Sequence, residues 1–127
     1  LKAQRVSGSD FFCALTVPVK DSHCSLIVGG WGGGLVGISS LDGADASENE
    51  TTSFRRFESG KWYEIRMRVE SNRIQAWIDG ESVVDVDTTN RKITTRIEVD
   101  PSKPLGLASW CTKAAIKDLK VRGLKKE

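Results

Sequence analysis

Residues Tyr63 to Ile78 constrain the fold of this chain more than any other stretch. Tyr63, Ile65, Met67 and Val69 alternate with Glu64, Arg66, Arg68 and Glu70. A period of two sends the first set to one face of a strand and the second to the other, so the strand has one dry side and one wet side. Ser71-Asn72 follows as a two-residue turn. That turn sets Val69 opposite Ile74, Met67 opposite Ala76 and Ile65 opposite Ile78. All six then share a face, and a slip of one residue would send one strand's set to water, which pins the register. The same register brings Arg66 opposite Trp77 on the wet face, a cation–π pair worth about 0.5–1 kcal/mol if exposed. Asp79-Gly80 is the next turn. A plain two-residue turn would set Val83 opposite Ala76. One bulged residue sets Val84 and Val86 on that face instead and turns Asp85 and Asp87 outward, so a bulge is expected.

The rest of the chain reads the same way. Short β-rich runs are separated by Gly, Pro, Asn, Asp and Ser, and no segment has a convincing helical period. Candidate strands are Leu1–Val6, Phe11–Val17, Cys24–Gly29, Leu35–Ser39, Trp62–Glu70, Arg73–Ile78, Ser82–Asp87, Arg91–Val99, Leu105–Trp110 and Ala114–Arg122. Many short strands with frequent turns predict a sandwich or barrel. At 127 residues the chain fits one domain, residues 1–127, large enough to bury a core.

A net charge of +2 argues against a polyanionic partner, and the basic residues are interleaved with acids except at Lys125-Lys126. Nucleic acid is therefore not an expected partner. No segment is long and apolar enough to span a membrane as a helix. The chain starts at Leu1, without Met and without a signal peptide, inside what reads as a strand. Of the three cysteines, Cys13 and Cys24 could bridge if their segments form a hairpin through Pro18 to Ser22; the plainer reading is three small buried thiols. The spacing of Cys13, Cys24, Cys111 and the one histidine, His23, fits no zinc pattern.

The stretch from Cys24 to Thr52 carries the functional signal. An apolar run breaks into Gly29-Gly30-Trp31-Gly32-Gly33-Gly34, re-forms as Leu35–Ile38, and opens into a loop with Asp42, Asp45, Glu48, Asn49, Glu50 and Thr51. Glycines cost conformational entropy and contribute little packing, so a run of them implies a demanded backbone shape or a close approach. An aromatic face beside clustered carboxylates suits a sugar ring and its hydroxyls. The plainer reading is a glycine-rich hairpin followed by a solvated acidic loop. Trp31 is the stacking candidate; Trp62, Trp77 and Trp110 lie in regular strands and read as packing or surface cover. No phosphate-cradling loop is present, because Gly29 to Gly34 precedes a strand rather than a helix.

Residues 61–88, KWYEIRMRVESNRIQAWIDGESVVDVDT, resemble a strand pair of the concanavalin A-like lectin/glucanase sandwiches. Joined to residues 8–52 and to PSKPLGLASWCTKAAIKDLKVRGL, they resemble the 3-keto-disaccharide hydrolase domain, a bacterial family first catalogued as being of unknown function. The resemblance covers essentially the whole chain. It implies an all-β, concanavalin A-like jelly roll of two antiparallel sheets, a carbohydrate ligand, and an exported protein, periplasmic or extracellular. It also implies N-terminal strands that this chain lacks. A sandwich without them has an unpaired edge, from which a homodimer or strand exchange is expected.

The activity so implied is a glycoside hydrolase acting on 3-keto disaccharides or glycosides; the alternative is a non-catalytic carbohydrate-binding module of an exported protein. Hydrolysis wants two carboxylates about 5–5.5 Å apart for retention or about 6.5–9.5 Å for inversion. In an extended segment Glu48 and Glu50 would share a face about 6.5–7 Å apart. Cleavage next to a ketone could instead go by proton abstraction, with His23 or a carboxylate as the single base. The expected catalytic set is Glu48, Glu50, Asp42 and His23, with Trp31, Asp45 and Asn49 binding substrate. No cofactor is called for by the motifs. The oxygens of Asp42, Asp45 and Glu48 would suit a divalent cation such as calcium, without matching a twelve-residue calcium loop.

Overall fold

A computed structural model describes residues 1–95 and 101–122 of the chain. Among the described residues there are ten strands and no α-helix. In chain order they are β1 (Lys2–Gly8), β2 (Cys13–Val19), β3 (Ser22–Gly30), β4 (Leu35–Ser39), β5 (Ser53–Phe54), β6 (Tyr63–Glu70), β7 (Arg73–Ile78), β8 (Glu81–Asp87), β9 (Gly106–Ala108) and β10 (Thr112–Lys117). They form two antiparallel five-stranded sheets. The first has the order β10-β1-β6-β7-β8 and the second β5-β4-β3-β2-β9. This is the jelly-roll sandwich expected from the sequence.

The β6–β7 hairpin has the expected register, with Ile65 opposite Ile78, Met67 opposite Ala76 and Val69 opposite Ile74. Arg66 stands opposite Trp77, its guanidinium carbon 5.3 Å from the ring centroid. The β7–β8 ladder shifts between Ala76 and Trp77, which puts Val84 opposite Ala76 and Val86 opposite Ile74. The bulge is present for the reason given: it keeps both valines dry.

The core lies between the sheets. Cys13, Leu15, Cys24, Leu26, Val28, Val36 and Ile38 face it from the second sheet, and Ala3, Tyr63, Ile65, Ile74, Ala76, Ile78, Val84 and Val86 from the first. Phe12, Phe57 and Tyr63 close one end, with ring centroids 5.0–6.0 Å apart. Alternation then leaves Ala14, Thr16, Ser25, Ile27, Leu35 and Gly37 on the outer face of the second sheet, away from the first. A small second cluster of Ala14, Ile27, Leu35 and Ala46 covers part of that face.

Several expectations need correction. Cys13 and Cys24 are free thiols. Their hairpin forms, but its register sets Cys13 opposite Val28 and Cys24 opposite Val17, four residues out of step. Burial pushes both thiols up to about 12, so they are inert hydrophobes in the folded chain. In the candidate strand Arg91–Val99, only Ile93 bridges, to Leu41; Ser40 and Thr94 exchange backbone hydrogen bonds beside it, and residues 96–99 lie outside the described residues. The run Ala114–Arg122 shortens to Thr112–Lys117, with Asp118 at φ 55 just beyond it. Leu105–Trp110 shortens to three residues. Strand β5 has no alternation to announce it. The first strand of the chain is no edge: β1 pairs with β10 along its length and with β6 at Lys2 and Ala3. Among the described residues the sheet edges are β10, β8, β5 and β9.

Candidate functional site

The turn between β3 and β4 presents Trp31. Its backbone is left-handed, at φ 46, and the residue is 42% exposed. That conformation costs a non-glycine residue roughly 1–2 kcal/mol. The turn closes with the Gly33 amide donating to the Gly30 carbonyl at 3.1 Å.

Beneath it lies Arg5, from β1. Only 5% of this residue is exposed. Its guanidinium donates to the carbonyls of Asp10 at 2.9 Å, Gly33 at 3.0 Å, Gly29 at 3.2 Å and Phe57 at 3.5 Å. It also sits 5.1 Å from the centroid of the Phe12 ring. Burial lowers its pKa, opposed by the charges of Asp10 and Tyr63. An arginine stays protonated in a protein nonetheless, so this is a buried cation satisfied by carbonyl dipoles.

The same geometry explains two of the glycines. A Cβ on Gly29 would lie 2.7 Å from Arg5 Nη2, and one on Gly34 would lie 2.7 Å from the Arg55 carbonyl. At these two positions the close approach that the glycines permit is made by the protein's own guanidinium and backbone.

Asp10 completes this end. Its Oδ1 accepts from the Phe11 amide at 2.8 Å, and its Oδ2 receives the exposed Gly32 amide at 3.4 Å. The carboxylate is thus fixed to the turn that carries Trp31. Phe54, 73% exposed, stands opposite Leu35 on β4, and Trp110, 56% exposed, donates its amide to the Phe11 carbonyl. Neither Arg5 nor Asp10 was legible as a site residue. Gly8-Ser9-Asp10 carries only a turn signal, and the partners of Arg5 are carbonyls, which every residue has.

The acidic loop lies at the other end of β4. Asp42 and Glu50 both bind Arg91, the latter at 2.7 Å, and Asp42 also accepts the Lys92 amide at 2.8 Å. The backbone hydrogen bond from Lys92, then Arg91, holds the Asp42 carboxyl below its ordinary range, while Glu50 and Asp42 raise Arg91. Asp45 accepts from the Ser47 amide at 2.9 Å and its hydroxyl at 2.6 Å. Asn49 directs its amide group at the Ile38, Ala44 and Asp45 carbonyls and accepts from the Thr51 amide at 2.9 Å. Its side chain is committed to the loop's own backbone. Glu48 is exposed. Among the described residues no three His, Cys, Asp or Glu side chains group as a metal site.

His23 is half-buried on β3, opposite Pro18, on the outer face with Ser25 and Ile27. The Ser25 and Thr16 hydroxyls are buried and 2.8 Å apart, and Ser25 pairs with Ser39. The structure therefore gathers His23, Asp42, Asp45, Asn49 and Glu50 toward the Ser39 end of the second sheet and leaves Trp31 at the opposite end. Seven residue steps along β3 separate His23 from Gly30, roughly 23 Å at strand rise, too far for one disaccharide to touch both. On the outside of the first sheet, Glu64, Arg66, Trp77 and Gly80 line a shallow depression of about 180 Å³, where Arg66 lies over the Trp77 ring.

The sequence model of one family, described as the 3-keto-alpha-glucoside-1,2-lyase-like domain, matches residues 1–122. No curated protein and no solved structure matches the chain.

Proposed function

The chain belongs to the 3-keto-alpha-glucoside-1,2-lyase-like domain family, and from that membership we propose that it binds a glycoside carrying a ketone at C3 and cleaves it by elimination across C1 and C2. A ketone at C3 makes the hydrogen on C2 acidic. A base removes that hydrogen, its electron pair forms the C1–C2 double bond, and the C1–O bond breaks. The departing alkoxide takes up a proton, and no water is consumed. One base suffices, where hydrolysis would need a pair of carboxylates with opposed protonation states.

The observation that carries the reading is an exposed tryptophan held in a costly backbone conformation next to a fixed carboxylate. Strain of this kind clusters at active sites and ligand clamps. Trp31 supplies the face on which the sugar ring stacks, and Asp10 is the base. The acidic loop supports the paired-carboxylate reading less well. Asp42 and Glu50 share one arginine, and the Asp42 carboxyl is held low, whereas a general acid needs a raised pKa.

The test uses 4-nitrophenyl α-glucoside oxidised at C3, in heavy water. Nitrophenolate release with loss of the C2 hydrogen to solvent is expected, giving an unsaturated ketone product whose C2 bears no hydrogen. Asp10→Asn should lower kcat by about 10²–10⁴-fold, and Trp31→Ala should raise Kd about tenfold. If His23→Ala or Glu50→Gln abolishes release while Asp10→Asn does not, the chemistry belongs to the Ser39 end. Binding that depends on Trp31 without any turnover would make this a carbohydrate-binding module, the second reading that the exposed Trp31 face favours.

A further inference from the structure

We propose that Arg5 is the positioning residue of this site, fixing the Asp10 carboxylate and the Trp31 turn relative to each other through one buried guanidinium. The proposal rests on the assignment of Trp31 and Asp10 to the sugar site. Its geometry is independent of that assignment. Arg5 Nε and Nη2 both point at the Asp10 carbonyl, at 3.3 and 2.9 Å, and Nη2 also reaches Gly29 and Gly33, the residues on either side of the turn. A single planar group thus holds three points of two separate loops.

The fold delivers Arg5 to this place. Ala3 and Arg5 alternate inward on β1, and the β1–β10 ladder shifts between Arg5 and Ser7, so the strand bends directly after the arginine. The Phe12 ring and the missing Cβ of Gly29 leave a slot for the guanidinium. The Gly60 amide donates to the Arg5 carbonyl at 2.7 Å, anchoring its backbone. A lysine could carry the charge but not the fork, since one ammonium cannot serve Asp10, Gly29 and Gly33 in a plane. Displacing either loop by an ångström would spoil the alignment of base and ring, an error that can cost about a hundredfold in rate.

Arg5→Lys and Arg5→Ala test this with two readouts. The first needs no ligand: amide hydrogen exchange of Gly33, whose N–H closes the turn, compared with Leu26 in the core. Gly33 protection should fall about tenfold in both variants while Leu26 protection holds, because only the local opening changes. Millimolar guanidinium should restore Gly33 in Arg5→Ala, which has an empty slot, and not in Arg5→Lys, where the slot is filled. The second readout is turnover of the 3-keto nitrophenyl glucoside, with kcat falling and recovering in parallel with Gly33 protection. If Arg5→Ala does not fold, Arg5→Lys alone decides: unchanged Gly33 protection overturns the proposal. Loss of protection at Gly33 and Leu26 together would also overturn it, making Arg5 a residue of general stability. Normal rescue at Gly33 without glycoside turnover by the parent protein would keep the clamp and sink the assignment of Trp31 and Asp10.

Discussion

Trp31 pays for its place in backbone strain and is a poor choice for packing, being 42% exposed. Glycine adopts the same φ without penalty. Trp31→Gly should therefore keep or raise stability, by up to about 1 kcal/mol in urea unfolding, and at the same time lose affinity for the keto-glycoside. A fall of more than about 2 kcal/mol would mean that the indole is packing rather than presenting a face. Asn49 illustrates the opposite relation. A polar residue among carboxylates suggests contact with a ligand, yet its amide and carbonyl are spent on Ile38, Ala44, Asp45 and Thr51. Such a residue shapes a loop from within.

At the scale of elements, the β6–β7–β8 meander was readable because two signals agree: alternation fixes each face, and the turns fix which residues oppose. Its energetics are less even than the pattern suggests. Ile65 and Ile78 are fully buried, whereas Met67 sits half-buried at the margin of the core. Ile65→Ala should cost about 2–5 kcal/mol in urea unfolding and Met67→Ala distinctly less. Equal losses would place the centre of the core nearer to the Ser71-Asn72 turn than the structure has it. The site was legible only in part. Five glycines mark Trp31, but the arginine below them lies 24 residues earlier than Gly29 and bonds to carbonyls, which leave no trace in sequence. The described start of the segment after β8, residues 91–95, departs from a regular strand for a similar reason. Arg91 is drawn to Asp42 and Glu50, and Ile93 and Thr94 bond to the Ser40–Leu41 corner.

For the molecule as a whole, the two buried thiols report on integrity. Cys13 and Cys24 lie in the centre of the second sheet, pushed up to about 12 by burial, while Cys111 is exposed. An aromatic disulfide reagent at neutral pH should modify one thiol at once and the other two only at the rate of global opening, slowing with every stabilising substitution. Rapid reaction of all three would contradict the packing between the sheets. The order of the first sheet has a consequence for how this chain is made. β2, β3 and β4 are joined hairpins, as are β6, β7 and β8, and each set can zip as it leaves the ribosome. β1 cannot. Its main neighbour is β10, with Ala3 opposite Ile116, so β1 must wait for a partner made more than a hundred residues later. Until then its inward Arg5 has no settled slot, and β1 is left for a chaperone to shield.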